Sequence, residues 1–296
     1  MTRHLASRPT TFTGASGNAL KADVFGDRGR PVLLLHGGGQ TRHAWQKTAE
    51  RIARAGMTAY ALDQRGHGDS DWIPDGAYRF FDFAADVRAV AERLRGAAAP
   101  PVAIGASLGG IAALLAYGAA HAEGVPLFAA LVLVDITPRV DLSGVQKIQG
   151  FMREHAVEGF ATLQEAADVV AAYLPHRPRP RSHEGLKKNL RLHADGRWRW
   201  HWDPRFLDGP HPISGDRTEV ERSLIAAARS LTIPTLLVRG ASSELVHETH
   251  VREFLSLVPH AAYADVSGAR HMVAGDRNDQ FSNAILGFLG GIGNKP

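Results

Sequence analysis

The chain has 296 residues, 44% apolar and 22% charged, with a formal charge of +4 and no cysteine. Such a length supports one large core, or a core with an insertion, and excludes both a disulfide-stapled mini-protein and a disordered tail. Without cysteine there is no disulfide, thiolate metal site, iron–sulfur cluster or cysteine nucleophile, so a covalent catalyst must be another residue type.

The opening segment Met1–Gly14 carries two arginines but no apolar run behind them, which argues against a signal peptide. Ala19–Phe25 then reads as a strand, and Pro31–Leu35 as a fully buried one running into His36-Gly37-Gly38-Gly39. Trp45–Ala55 is helical by pattern, with Gly56 as its stop. Thr58–Leu62 is a short strand leading into the glycine-rich loop Asp63–Ser70. Phe83, Val87, Val90 and Leu94 give Phe81–Arg95 a helical period that ends before Gly96 and Pro100-Pro101.

A strand at Val102–Gly105, a helix at Leu108–Ala120 and a strand at Ala129–Val134 follow. Near the C-terminus come strand Thr235–Val238, helix Glu248–Val258, strand Ala262–Val266 and helix Gln280–Leu289. Short apolar strands alternating with amphipathic helices predict an α/β fold, a parallel sheet covered on both faces.

Residues 137–230 break that alternation. Val145–His155, Leu163–Tyr173 and Glu219–Ala228 are helical by pattern, with a Pro/Arg-rich joint at Pro175–Pro180 between them. A loop of that length without structure of its own would be implausible, so the segment is expected to be an inserted, mainly helical cap. The expected organisation is a core of residues 1–136 and 231–296 with the cap at 137–230. In Arg197–Asp203 the aromatic residues Trp198, Trp200 and Trp202 alternate with polar ones. They would lie on one side of an extended segment, where packing the cap onto the core is preferred over a substrate platform.

The sequence pI of 9.6 reflects arginine, which supplies 28 of the 34 basic residues. The basic stretches His176–Arg181, Lys187-Lys188 and Arg197–Trp200 accompany no recognisable binding module, so a solvated surface is expected and no nucleic-acid partner. No apolar run approaches the roughly 20 residues of a membrane span. A soluble cytoplasmic protein with no membrane partner is the default expectation, and whether it forms a homodimer is left open.

Gly105-Ala106-Ser107-Leu108-Gly109 lies between a buried strand and a helix. This is the G-x-S-x-G elbow, which holds a serine on a strained turn where bulky neighbours would collide. The turn also sets the hydroxyl at a helix N-terminus, whose dipole favours developing negative charge. The run Gly37–Gly39 lets backbone amides face a ligand, as an oxyanion hole requires. Together the two predict donors at the N–H of Gly38, with Gly39 as second choice, and of Leu108. Asp63, His67 and Asp69 have no metal-site spacing, and neither a phosphate loop nor a dinucleotide fingerprint is present. No cofactor and no metal are expected.

The ordered set His36–Gly39, Asp63–Ser70, Gly105–Gly109 and Gly268-Ala269-Arg270-His271 resembles the α/β-hydrolase superfamily, in particular its lidded branch with a serine nucleophile. The likeness covers the chain from about Phe12 to Leu289. It implies Ser107 as nucleophile, His271 as general base, and His36 as a prop for the oxyanion loop. The family usually places the acid after the strand Thr235–Val238, where Glu244 is the one carboxylate before the next helix. Some members supply it from the strand ending at Asp135. Glu244 is preferred and Asp135 is the alternative, while Asp265 is expected to be structural. Arg270 stands where a small glycine is more usual. Trp45, Phe151 and Met152 are candidates for an apolar substrate wall.

The resemblance implies a serine hydrolase that cleaves an ester or lactone of a small apolar substrate through an acyl-enzyme. Serine at the elbow argues against the epoxide hydrolases and dehalogenases of the same family, which use aspartate there. A carbon–carbon bond hydrolase, a perhydrolase, or a non-catalytic receptor binding a small ligand in the same pocket are the other readings.

Overall fold

A computed structural model describes residues 5–95, 99–177, 179, 182–276 and 278–292. Gly96, expected to close a helix, and residues 178, 180 and 181 of the basic joint lie outside the described residues, as do 1–4 of the opening segment.

Eight strands form one sheet in the order β1-β2-β4-β3-β5-β6-β9-β10. They are β1 (Arg8–Thr13), β2 (Ala19–Phe25), β3 (Pro31–Leu35), β4 (Thr58–Leu62), β5 (Val102–Ala106), β6 (Ala130–Val134), β9 (Thr235–Gly240) and β10 (Ala262–Val266). The pairings β1–β2 and β2–β4 are antiparallel and the others are parallel. Strand β1, mostly exposed and rich in threonine, carries too few apolar residues for its sequence to announce it.

The period-two pattern of the buried strands splits the core. On β3, Leu33 and Leu35 face one side and Val32 and Leu34 the other; on β6, Leu131 and Leu133 oppose Ala130, Val132 and Val134. The first face is covered by α2 (Phe80–Arg95), α3 (Leu108–Ala122) and α8 (Glu248–Leu257). The second is covered by α1 (Gln46–Arg54) and α10 (Asn278–Ile292), the latter through Phe281, Ile285 and Leu289. Helix α3 is apolar almost all round, as its position inside the molecule demands.

Between β6 and β9 the described residues add no strand to this sheet. It forms α4 (Leu142–Arg153), α5 (Leu163–Tyr173), the two-stranded hairpin β7 (Leu190–Leu192) and β8 (Trp198–Trp200), α6 (Arg205–Asp208) and α7 (Arg217–Arg229). Asp141 caps α4 by accepting from the amides of Ser143 and Gly144, and Thr162 caps α5 by accepting from Glu165. A short helix α9 (Val273–Asp276) follows β10. No helix among the described residues is long and apolar enough to cross a membrane.

Candidate active site

The site gathers at the carboxyl ends of the parallel strands, where an open α/β sheet offers a crevice. Ser107 ends the turn from β5 into α3 with φ 46° and ψ −115°, a region that non-glycine residues rarely occupy and that stores strain. Its flanking glycines are sterically required. A Cβ on Gly105 would stand 2.4 Å from the carbonyl oxygen of Gly109, and one on Gly109 would stand 2.4 Å from that of Leu35. The amide of Ser107 donates to Val134 at 3.1 Å and its carbonyl accepts from Ile111 at 3.0 Å, so the turn is anchored on both sides.

The glycine loop after β3 lies against two buried imidazoles. Gly39, at φ 74°, donates its amide to His67 Nε2 at 3.1 Å. The side chain of Gln40 occupies the amide of Gly37 at 3.0 Å. Among the described residues the amides of Gly38 and Leu108 donate to no other group. The second-choice donor is therefore committed elsewhere, and the first-choice pair is the one left open.

His36 and His67 are fully buried. Each accepts a backbone N–H at Nε2, His36 from Gln64 and His67 from Gly39. The proton must then sit on Nδ1, which faces the Gly37 carbonyl in one ring and the Arg65 carbonyl in the other. Burial lowers the pKa of His36 to about 4. The same cause, with the neighbouring His36 adding to it, lowers that of His67 to about 3. Both rings are neutral struts. Asp63 on the same loop accepts from the amides of Arg42 and Asp69 and pairs with the Arg42 guanidinium.

His271 follows β10, and its Nδ1 lies 2.7 Å from Oδ2 of Asp135. Asp135 is fully buried at the end of β6, with φ 51°. Its carboxylate also accepts from the amide of Gly240 at 2.9 Å and the hydroxyl of Ser243 at 2.6 Å. Ser243 is itself oriented by accepting from the amides of Leu245 and Val246. The preference for Glu244 as His271's partner is thus corrected. The loop after β9 sends Ser243 to the Asp135 carboxylate and, among the described residues, gives His271 no partner of its own, so the carboxylate comes from the alternative position. Glu244 makes no hydrogen bond to His271, and its Oε2 is buried without a partner among the described residues. Sequence spacing leaves both carboxylates in plausible loops. Ser243, which singles out the one beside it, carries no signal in the sequence.

Ser107 and His271 line one cavity of about 370 Å³, with no hydrogen bond between them. Catalytic contacts commonly tighten only when substrate is bound. Trp45, Phe151 and Met152, the expected wall residues, all line it. Phe151 stacks on Tyr173 with ring centres 3.9 Å apart. Trp200 and Trp202 face the same cavity and are also packed into the core, so two members of the tryptophan ladder serve as wall as well as packing. The Arg270 side chain is exposed at its rim.

The family model for the alpha/beta hydrolase fold matches residues 30–277, and the chain belongs to that family. An esterase of Mycobacterium tuberculosis is 29% identical over 277 residues, covering 92% of this chain and 86% of its own. A solved structure of the M. tuberculosis esterase superposes with a TM-score of 0.76 at 27% identity, covering 98% of this chain and 93% of that one. The 2-(acetamidomethylene)succinate hydrolase of Mesorhizobium japonicum is 29% identical over 267 residues, covering 87% of each chain. The chain is accordingly a hydrolase of the α/β-hydrolase fold.

Proposed function

We propose that the protein is a serine hydrolase acting on an ester or lactone of a small apolar substrate, with Ser107 as nucleophile, His271 as base and Asp135 as the acid. The observation that carries this reading is the convergence on one cavity of a serine at φ 46° and a histidine whose Nδ1 is held 2.7 Å from a buried carboxylate. Asp135 fixes the imidazole so that Nε2 is free to take the serine proton, and its charge stabilises the imidazolium that forms. Ser107 Oγ then bonds the carbonyl carbon, and the oxyanion is received by the amides of Gly38 and Leu108. Removing one such donor typically costs about 100- to 1,000-fold in turnover. Collapse of the intermediate expels the alcohol, protonated by His271, and water activated by the same ring releases the acid.

A fluorophosphonate probe tests the proposal. The wild type should be labelled at Ser107 at neutral pH, and Ser107→Ala should abolish both labelling and ester turnover. An unlabelled wild type that binds small apolar ligands would instead make the chain a receptor.

A further inference from the structure

Two cavities open onto Ser107. The first, of about 370 Å³, holds His271 together with Val170, Tyr173 and Leu186. The second, of about 420 Å³, holds Leu108 and runs beneath the cap between Ile111, Val145, Phe206 and Leu224. They share only Gly38, Ser107, Ile148 and Met152. Ile148 and Met152, one turn apart on α4, therefore form a partition above the nucleophile, and each chamber falls within the size range of ordinary ligand sites.

Resting on the serine-hydrolase reading, the chemistry assigns an occupant to each chamber. As Ser107 Oγ bonds the carbonyl carbon, its proton passes to His271 Nε2. As the bond from that carbon to the leaving oxygen breaks, the oxygen takes the proton back. Proton transfer needs hydrogen-bond reach, so the leaving oxygen must lie on the side of His271, which lines the first chamber alone. The oxyanion points at Gly38 and Leu108. The one remaining substituent of the tetrahedral carbon, the acyl chain, is directed away from His271 into the second chamber.

We propose that the substrate is a two-armed ester with a sizeable apolar group on each side of its carbonyl, the acyl arm in the chamber of Val145 and Leu224 and the alcohol arm in the chamber of Val170 and Leu186.

Ethyl octanoate and octyl acetate, isomers with their arms exchanged, separate the two chambers when acid release is followed by titration. Val145→Phe narrows the second chamber, and Gln149→Trp does so from one turn further along α4, at an equally half-buried position. Both should lower kcat/KM for ethyl octanoate by about tenfold or more relative to octyl acetate, since pocket shape discriminates at roughly that level. Val170→Phe, in the first chamber, should do the reverse. The opposite pattern would overturn the assignment, and equal losses on both esters would overturn the partition. Fluorophosphonate labelling of each variant separates the two levels. Labelled variants with an indifferent pattern remove only the partition, whereas a wild type that neither labels nor cleaves either ester removes the hydrolase reading beneath it.

Discussion

Asp135 is placed by its backbone as much as by its charge. Its φ of 51° turns the carboxylate off the end of β6, and aspartate is among the few residues that tolerate that region. Three donors then converge on it, from Gly240, Ser243 and His271. Asp135→Asn keeps the shape but puts an amide where a charge is needed, and should lower kcat by about 10,000-fold, the loss seen when a triad acid is neutralised this way. Glu244→Gln should cost far less. Steady-state kinetics on a p-nitrophenyl ester would compare them, and an equal collapse of both variants would contradict the assignment. A second expectation belongs to His36 and His67. Their depressed pKa values mean that the unfolded chain, with ordinary imidazoles near 6.5, takes up protons before the native state does. Stability should therefore fall as pH drops from about 6.5 toward about 4, and His67→Gln should flatten that slope. Urea midpoints across this range provide the measurement, and a wild-type midpoint that rises on acidification would contradict the account.

At the scale of elements, the elbow is a close approach of three backbones, and its glycines report this directly. Gly109→Ala would drive a Cβ into the Leu35 carbonyl oxygen, atoms that cannot rotate away, and should destabilise the chain by about 1–3 kcal/mol as overpacking does. Gly150→Ala on α4, where nothing lies within 4 Å of the added atom, should instead stabilise by about 0.5–1 kcal/mol. Chemical denaturation of both variants would check the contrast in sign. These elements were also the most legible in the sequence. A buried strand, a G-x-S-x-G and an apolar helix leave few alternative arrangements, and the strands and helices around them differ from expectation by a few residues at their ends. β1 and β7 were not legible, because neither is a run of buried residues, whereas the alternation of Trp198 and Trp200 marked β8 as extended. The partner of His271 was ambiguous for a different reason. By sequence a carboxylate follows each of two strand ends, and only the hydroxyl of Ser243, which donates to Asp135, distinguishes them.

The whole molecule depends on how the segment between β6 and β9 is fastened to the sheet. One fastening is polar and buried. Tyr78 donates its hydroxyl to Asp203 at 2.6 Å, accepts the amide of Ile73 at 2.8 Å, and has no exposed surface. Burial and the Asp203 carboxylate push the tyrosine pKa up, so the hydroxyl stays a donor. Arg205 binds the same carboxylate, and Phe206 packs edge-on against His67, Tyr78, Phe83 and Trp202. The link thus runs from the end of the tryptophan ladder to the ring that holds the amide of Gly39. Tyr78→Phe would leave the Ile73 amide buried without an acceptor and Asp203 short of a donor, a loss of about 1–3 kcal/mol for an unsatisfied buried group. Asp203→Asn in the same background measures the contact itself. If the two residues act as one fastening, the double variant should lose less than the sum of the singles, with a coupling of about 0.5–3 kcal/mol in urea titrations. Strict additivity would mean that the hydroxyl and the carboxylate stabilise the fold separately, and that the hold on this segment lies in the ring packing around Phe206.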